Sequence, residues 1–444
     1  MEVEKMQQDM EIGIIGTGAM GKRYAKEFSG LGYKVNCADL PGRRQQLEAD
    51  LEKEGLTGKA YALDDGTAVS RRSDLIFYLT PVEEIEKAAA QYGPATKKGA
   101  IVSSGTSVMA PAVEAFEKYL PEDVGIINWH WLFAPSLPLH GQITALVNHR
   151  SDADAYERTR GAFEAFEALG VQIKELPSYQ EHDRITADTQ AVTHVGFEAM
   201  GAAWRNMGGF PWENTTYFGG IDNVKILTCL RIFSGKPHVY SGLAIHNSHA
   251  RKQIEQYAKS VSELFGLMIQ EDERQLRERI CKASGHLFSG NGSPILLNDK
   301  VMGEYALGTA SDKRSPNSHL SLLSMADAWR EAGINPYENM ICQTPVFRLR
   351  LGIVEYLLKN PELLEESIQT ALCRKEIRRD DLEFHTAVRE WSTTIGNGDA
   401  PGYRKKFEDA QKFFGEDRLK EGKKKSDELI ERLKESPLRR PPKA

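Results

Sequence analysis

The sequence predicts an α/β N-terminal domain, a doubly wound and mostly parallel sheet of Rossmann type, followed by an all-α domain containing a duplicated helical module. Three observations carry this reading. A glycine-rich turn joins an apolar strand to an amphipathic helix at Glu11–Lys22. Short apolar strands then alternate with helical segments to about residue 180, and a 21-residue pattern returns 125 positions later in the second half. The expected limits are 11–180 for the dinucleotide-binding domain, 181–300 and 301–415 for the two helical copies, and 416–444 for a charged, mobile tail.

The first element decides the class. In Glu11-Ile-Gly-Ile-Ile-Gly-Thr-Gly-Ala-Met-Gly-Lys22 an apolar run breaks into Gly16, Gly18 and Gly21, and a helical pattern follows at once. Gly16 allows the turn, Gly18 lets the backbone approach a pyrophosphate, and Gly21 lets helix and strand pack closely. Gly16, Thr17, Gly18, Ala19, Met20 and Gly21 are therefore the expected phosphate cradle, since free N–H groups at a helix start attract anions. Residues 33–39 alternate as a second strand ending in Asp39, which suits the ribose hydroxyls of NAD. Arg43 and Arg44 follow within five residues, and an arginine there suits the 2′-phosphate of NADP. These residues alone leave both cofactors open.

Later strands are expected at 73–81, 99–107, 124–130 and 171–176, with helices over 113–119 and 155–169. Ligands of such sheets gather at the carboxyl ends of strands, where Thr80, Ser107 and His130 fall. The Ser107 hydroxyl either orients a ligand or caps the next helix. His130 follows an apolar run and precedes Trp131-Leu-Phe-Ala-Pro135, read as an aromatic wall that excludes water. A histidine there suits taking a proton from a hydroxyl whose carbon loses hydride; the alternative is a structural histidine among tryptophans.

From Ile185 the pattern turns helical. Gln190 and His194 fall four apart on one face, either toward a substrate or as a satisfied pair. His182 and Asp183 lie at the expected domain junction. His194-x5-Met200-x3-Trp204-Arg205 recurs as His319-x5-Met325-x3-Trp329-Arg330, and the match runs on through Gly208/Gly333, Pro211/Pro336, Glu213/Glu338 and Asn214/Asn339. Nine of 21 positions are identical, where about one or two would follow from average residue usage. A weaker echo sets His238–Leu243 against Pro345–Arg350, pairing Ser241 with Arg348. Gly285–Pro316, rich in Gly, Ser, Asn and Pro, is the expected inter-copy linker.

Composition narrows the class. A chain of 444 residues favours two or three domains, and 41% hydrophobic with 27% charged residues is ordinary for a soluble protein. A net charge of −6 gives no general reason to expect nucleic acid. Five scattered cysteines without C-x-x-C suit reduced thiols in the cytoplasm, and no apolar run has the length of a membrane span. No metal is expected.

Four segments together carry a family resemblance over residues 11 to about 415. His130-Trp-Leu-Phe-Ala-Pro135 resembles an H-P-[IM]-x-G-[PT] segment, Gly105-Thr-Ser107 a serine-containing loop, Glu181-His-Asp-Arg184 an E-x-H-D entry to a helical domain, and Thr344-Pro-Val-Phe-Arg-Leu349 an S-P-I-Y-R-L stretch. In these the chain resembles prephenate dehydrogenase in its fungal form. The resemblance implies hydride transfer from prephenate to NADP, with NAD as the alternative, and oxidative decarboxylation to 4-hydroxyphenylpyruvate. It implies His130 and Ser107 as catalytic, and His182, Gln190, His194 and Arg348 as substrate-binding, with Arg231 and Arg350 behind Arg348. Two positions depart from the family: Met109 stands where many relatives have lysine, and Tyr356 where bacterial forms carry a substrate-binding arginine. No chorismate mutase domain is expected ahead of the first strand. Assembly is expected as a homodimer or as a monomer whose two helical copies pair as a pseudo-dimer. Rival readings are an arogenate or 3-hydroxy-acid dehydrogenase and a catalytically silent nucleotide sensor.

Overall fold

The computed structural model describes residues 10–213, 220–288, 302, 304–307, 316–339, 341 and 344–434. Two compact units divide at Arg184/Ile185. In the first, strands β1 (Glu11–Ile15), β2 (Lys34–Ala38), β3 (Ala60–Ala62), β4 (Leu75–Tyr78), β5 (Ile101–Ser104), β6 (Gly125–Trp131), β7 (Ile143–Arg150) and β8 (Gln172–Glu175) form one sheet. Their order is β3-β2-β1-β4-β5-β6-β7-β8, the doubly wound order with two strands added. β6 and β7 run antiparallel, and the other neighbours are parallel. Sequence reading missed β3, which has three residues, and β7, which is reached without a crossover helix.

Six helices complete this unit: α1 (Ala19–Gly30), α2 (Arg44–Lys53), α3 (Gly66–Arg72), α4 (Ile85–Tyr92), α5 (Ala110–Tyr119) and α6 (Ala153–Ala168). Tyr24 and Phe28 of α1 and Phe163 and Phe166 of α6 bury one face of the sheet with Phe77, Ile127, Trp129 and Trp131. Ile85 of α4 and Phe116 of α5 bury the other face with Ile76, Val102 and Ile126. Because strand side chains alternate, Asn128 and His130 share the Ile126 face of β6. The expected aromatic wall is thereby corrected. Trp131 stacks on Phe133 and Tyr24 inside the opposite core and does not flank His130.

Helix α7 (Tyr179–Met207) contains the division between the units. The second unit continues with α8 (Ile221–Phe233), α9 (Pro237–His246), α10 (Ser248–Gln270), α11 (Glu273–Leu287), α12 (Leu320–Glu331), α13 (Pro345–Lys359), α14 (Pro361–Cys373), α15 (Arg378–Gly396), α16 (Ala400–Phe414) and α17 (Glu416–Lys434). One succession occurs twice. A helix ends at a left-handed glycine, Gly208 (φ 70) or Gly333 (φ 66), where a side chain would be strained. A single 3-10 turn follows, Pro211–Glu213 or Pro336–Glu338. Then α8, α9, α10 and α11 run in the order of α13, α14, α15 and α16.

Packing follows the same exchange. α9 meets α16 as α14 meets α11, α9 meets α15 as α14 meets α10, and α10 meets α15 while α8 meets α13. A constant spacing of 125 places α8 against α13, so the counterpart of Arg348 is Asn223. The expected Ser241 pairing is a local echo between two proline-started helices. Asn214 and most of the expected linker lie outside the described residues.

The charged tail is also corrected. α17 buries Leu419, Leu429, Ile430 and Leu433 and packs on α8. Residues 435–444 lie outside the described residues.

Candidate active site

The glycine turn shows why each glycine is needed. A Cβ on Gly16 would sit 2.8 Å from the Leu79 carbonyl oxygen, and Gly16 has φ +99; a Cβ on Gly21 would sit 2.1 Å from the Gly16 carbonyl oxygen. At Gly18 the same position has no protein atom within 4 Å beyond its own chain neighbours. No side chain caps α1, and its first turn has no acidic residue, so its leading N–H groups are available to an anion. Thr80, after β4, adds a buried Oγ1 without a partner. These features fit a dinucleotide pyrophosphate. Met20 packs its side chain against the core, leaving its backbone for the ligand.

Asp39 follows β2 and accepts from Thr17 Oγ1 at 2.5 Å and from the Leu40 N–H at 2.8 Å. Burial alone would raise its pKa, but these hydrogen bonds and Arg43 hold it below the usual carboxylate range. The two arginines separate cleanly. Arg44 is committed to Glu48 and Asp64 at 3.0 and 2.7 Å, whereas Arg43 is exposed at the start of α2 with its guanidinium unpaired among the described residues.

His130 ends β6, 8% exposed. Its Nδ1 lies 2.9 Å from His182 Nε2, and His182 Nδ1 lies 2.8 Å from Asp183 Oδ1. Asp183 also accepts the backbone N–H groups of Met109 and Ala110 at 2.8 and 3.0 Å, at the start of α5, where a helix terminus favours negative charge. The network fixes the protons. Asp183 can only accept, so His182 donates from Nδ1 and accepts at Nε2. His130 must then donate from Nδ1, which leaves a lone pair on its Nε2. Burial, and then His182, holds the His130 pKa well below the usual histidine value, so the ring is neutral. This is the geometry of a general base oriented by a second imidazole and a carboxylate.

The other expected residues fall as follows. His182, expected at the substrate, is 1% exposed with both ring nitrogens engaged, so it positions His130. Ser107 is half-buried in the loop before α5, and the Met109 cap of that helix receives no side-chain bond, so Ser107 is not its cap. In the helical unit, Gln190 and His194 lie one turn apart on α7, half-buried and 6% exposed. The His194 ring meets Tyr240 edge-on at 5.0 Å. Arg348 and Arg350 of α13 are 3% and 4% exposed. Arg231 is removed from the candidates because it pairs with Asp427 of α17.

Sequence reasoning missed three participants. Asp183 was noticed only for its place at the junction. Glu198 accepts from the Tyr403 hydroxyl at 2.7 and 2.8 Å across 205 residues, which no local pattern announces. Among the described residues no group of His, Cys, Asp and Glu is arranged to hold a metal ion, and no helix is long and apolar enough to cross a membrane.

Comparison with known proteins agrees with this geometry. Residues 191–435 match a family model described as a 6-phosphogluconate dehydrogenase C-terminal domain, and residues 11–107 match NADP oxidoreductase coenzyme F420-dependent. A probable prephenate dehydrogenase [NADP(+)] of Schizosaccharomyces pombe is 41% identical over 97% of this chain and 99% of its own. The prephenate dehydrogenase [NADP(+)] of Saccharomyces cerevisiae is 42% identical over 93% of this chain and 92% of its own. A crystal structure of prephenate dehydrogenase from A. aeolicus with hydroxyphenyl propionate and NAD+ aligns with TM-score 0.48 and 19% identity, covering 61% of this chain and 94% of that one. On the length and identity of the two yeast matches, this chain belongs to the prephenate dehydrogenase family.

Proposed function

We propose that this protein oxidises prephenate to 4-hydroxyphenylpyruvate and carbon dioxide with NADP as hydride acceptor, the step that commits prephenate to tyrosine. The single observation that carries the chemistry is the Asp183–His182–His130 chain, which ends in a lone pair at a sheet exit. The yeast relatives supply the substrate and cofactor.

NADP, when bound, takes the hydride from the ring carbon that bears the hydroxyl. The uncapped start of α1 and Gly18 hold its phosphates, Thr80 lies beside them, and Arg43 takes the 2′-phosphate. His130 Nε2 accepts the hydroxyl proton as the carbon–oxygen bond becomes a carbonyl. The ring carboxylate then breaks from its carbon as carbon dioxide. The released electron pair makes the ring aromatic and reaches the oxygen, which takes the proton back from His130. His182 and Asp183 share the positive charge that His130 carries between these steps. Ser107 orients the reacting hydroxyl, and Gln190, His194 and Arg348 contact the substrate.

The test is absorbance of reduced nicotinamide with prephenate and each cofactor, and with arogenate in place of prephenate. Turnover of prephenate with NADP is expected, and a faster rate on arogenate or a 3-hydroxy acid would replace the substrate. His130→Asn is expected to fold and bind NADP while losing about 100-fold or more in kcat; silence of the wild type on every substrate would favour the nucleotide-sensing reading.

The repeated helix succession and its exchanged packing support a duplicated module whose copies pair within one chain, each contact of one copy on the other being returned. We infer a pseudo-dimer, so light scattering should give the mass of one chain; an obligate dimer joined through both modules would count against it. Free cysteines, Cys37 and Cys229 buried and Cys281 and Cys373 exposed, support a cytoplasmic setting.

A further inference from the structure

In the helical unit Arg350 is 4% exposed, and its Nε and Nη1 are buried with no hydrogen-bond partner among the described residues. His194 is 6% exposed, and its Nδ1 is likewise unpartnered. The Phe347 ring lies 5.1 Å from the Arg350 guanidinium carbon and 6.4 Å from the His194 ring. Glu198 is the acid that senses Arg350, but burial pushes it up to about 8 against the lowering by Tyr403 and Arg350, so it is mostly neutral at pH 7. Arg350, drawn down by burial to about 10, stays charged. A buried guanidinium with two idle donors and no ionised partner is costly unless an anion completes it.

The 125-residue spacing supplies an internal control. His194, Phe347 and Arg350 correspond to His319, Asp222 and Lys225. Lys225 Nζ lies 2.9 Å from His319 Nδ1 and 2.6 Å from Asp222 Oδ1, which is 3.8 Å from His319. That trio carries its own carboxylate and is closed. The first trio has a phenyl ring where the carboxylate would stand and is open.

We propose that Arg350 and His194 form a carboxylate subsite, in which the guanidinium fork and the His194 ring hold one carboxylate of the dianionic substrate. This rests on the prephenate reading above. Planar bidentate capture suits arginine better than lysine. It also explains why the open trio keeps arginine while the closed one has lysine.

The test uses Phe347→Asp, which copies the closed trio by giving Arg350 an internal carboxylate, together with Arg350→Met and Arg350→Lys. Unfolding midpoints and NADP affinity are measured first to confirm a folded protein. Phe347→Asp and Arg350→Met are expected to raise the KM for prephenate about ten- to a hundredfold with KM for NADP within about twofold; Arg350→Lys recovers part of the loss. Competition by 4-hydroxyphenylpyruvate, which lacks the ring carboxylate, separates the two sources. An unchanged inhibition constant assigns the subsite to the ring carboxylate, and an equal loss assigns it to the side-chain carboxylate. An unchanged KM for prephenate in both folded variants overturns the proposal. Should the wild type fail to turn over prephenate, the function reading falls by itself. The subsite is then judged by thermal protection with malonate, which Phe347→Asp must abolish if the subsite exists and must leave intact if it does not.

Discussion

Replacing Asp183 by Asn separates positioning from chemistry at the first unit's site. Asp183 is 4% exposed and accepts from His182 Nδ1 and from two backbone N–H groups, at 2.8, 2.8 and 3.0 Å. An amide has one acceptor oxygen, so its NH2 must face one of these donors. If it faces His182, that ring becomes an acceptor at Nδ1 and a donor at Nε2. His130 then accepts at Nδ1 and carries its own proton on Nε2, where the base should be. The stability cost is about 1–3 kcal/mol, for one lost hydrogen bond to a buried charge. The kinetic cost is that of a missing general base, about 10²–10⁴-fold in kcat, or roughly 3–5 kcal/mol of barrier. Steady-state turnover of prephenate, with NADP binding followed by fluorescence, reads both effects. A folded Asp183→Asn protein with kcat within about threefold of wild type would show that the chain of imidazoles does not set the His130 tautomer.

Other expectations follow from the same geometry. Burial and His182 hold His130 neutral to well below the usual histidine range, so kcat/KM should stay level as pH falls through about 6.5; an acid limb centred there would contradict it. Arg43→Ser should raise the KM for NADP about fivefold to tenfold through loss of an exposed phosphate contact, leaving NAD unchanged. Arg44→Ser should change neither, because that side chain is held by Glu48 and Asp64. Glu198 has a folded pKa of about 8, above its unfolded value, so its contribution is full below about 4.5 and is lost as pH rises through about 8. Glu198→Gln should therefore gain stability over wild type between pH 6 and 9, by a few kcal/mol at most; parallel melting curves across that range would refute this.

The nucleotide half was readable because its physics is local. A buried parallel strand is a short apolar run, and the three glycines answer to contacts within about ten residues along the chain or to one neighbouring strand. β7 was not readable, since no helix precedes it and nothing in its composition says that it runs antiparallel. His130 was found from its place at a strand end, yet its surroundings were misread. The tryptophans beside it in sequence lie on the opposite face, as period-2 alternation requires. The imidazole that positions it comes from 52 residues away. Among the arginines, sequence similarity drew attention to Arg348. The structure shows Arg350 to be the one with idle donors, a difference of two positions that turns a helical side chain by about 200°. The tail misled because its lysines outnumber its apolar residues, and four leucines and isoleucines on one face were enough to bury it.

The last described helix constrains how the chain matures. Gly422 of α17 lies where any side chain would press on Leu230 of α8, and Asp427 grips Arg231 from 196 residues downstream. On a ribosome α8 is therefore complete long before its covering exists. Its apolar flank stays open until the final stretch emerges, so a nascent or prematurely stopped polypeptide presents that flank to chaperones and to aggregation.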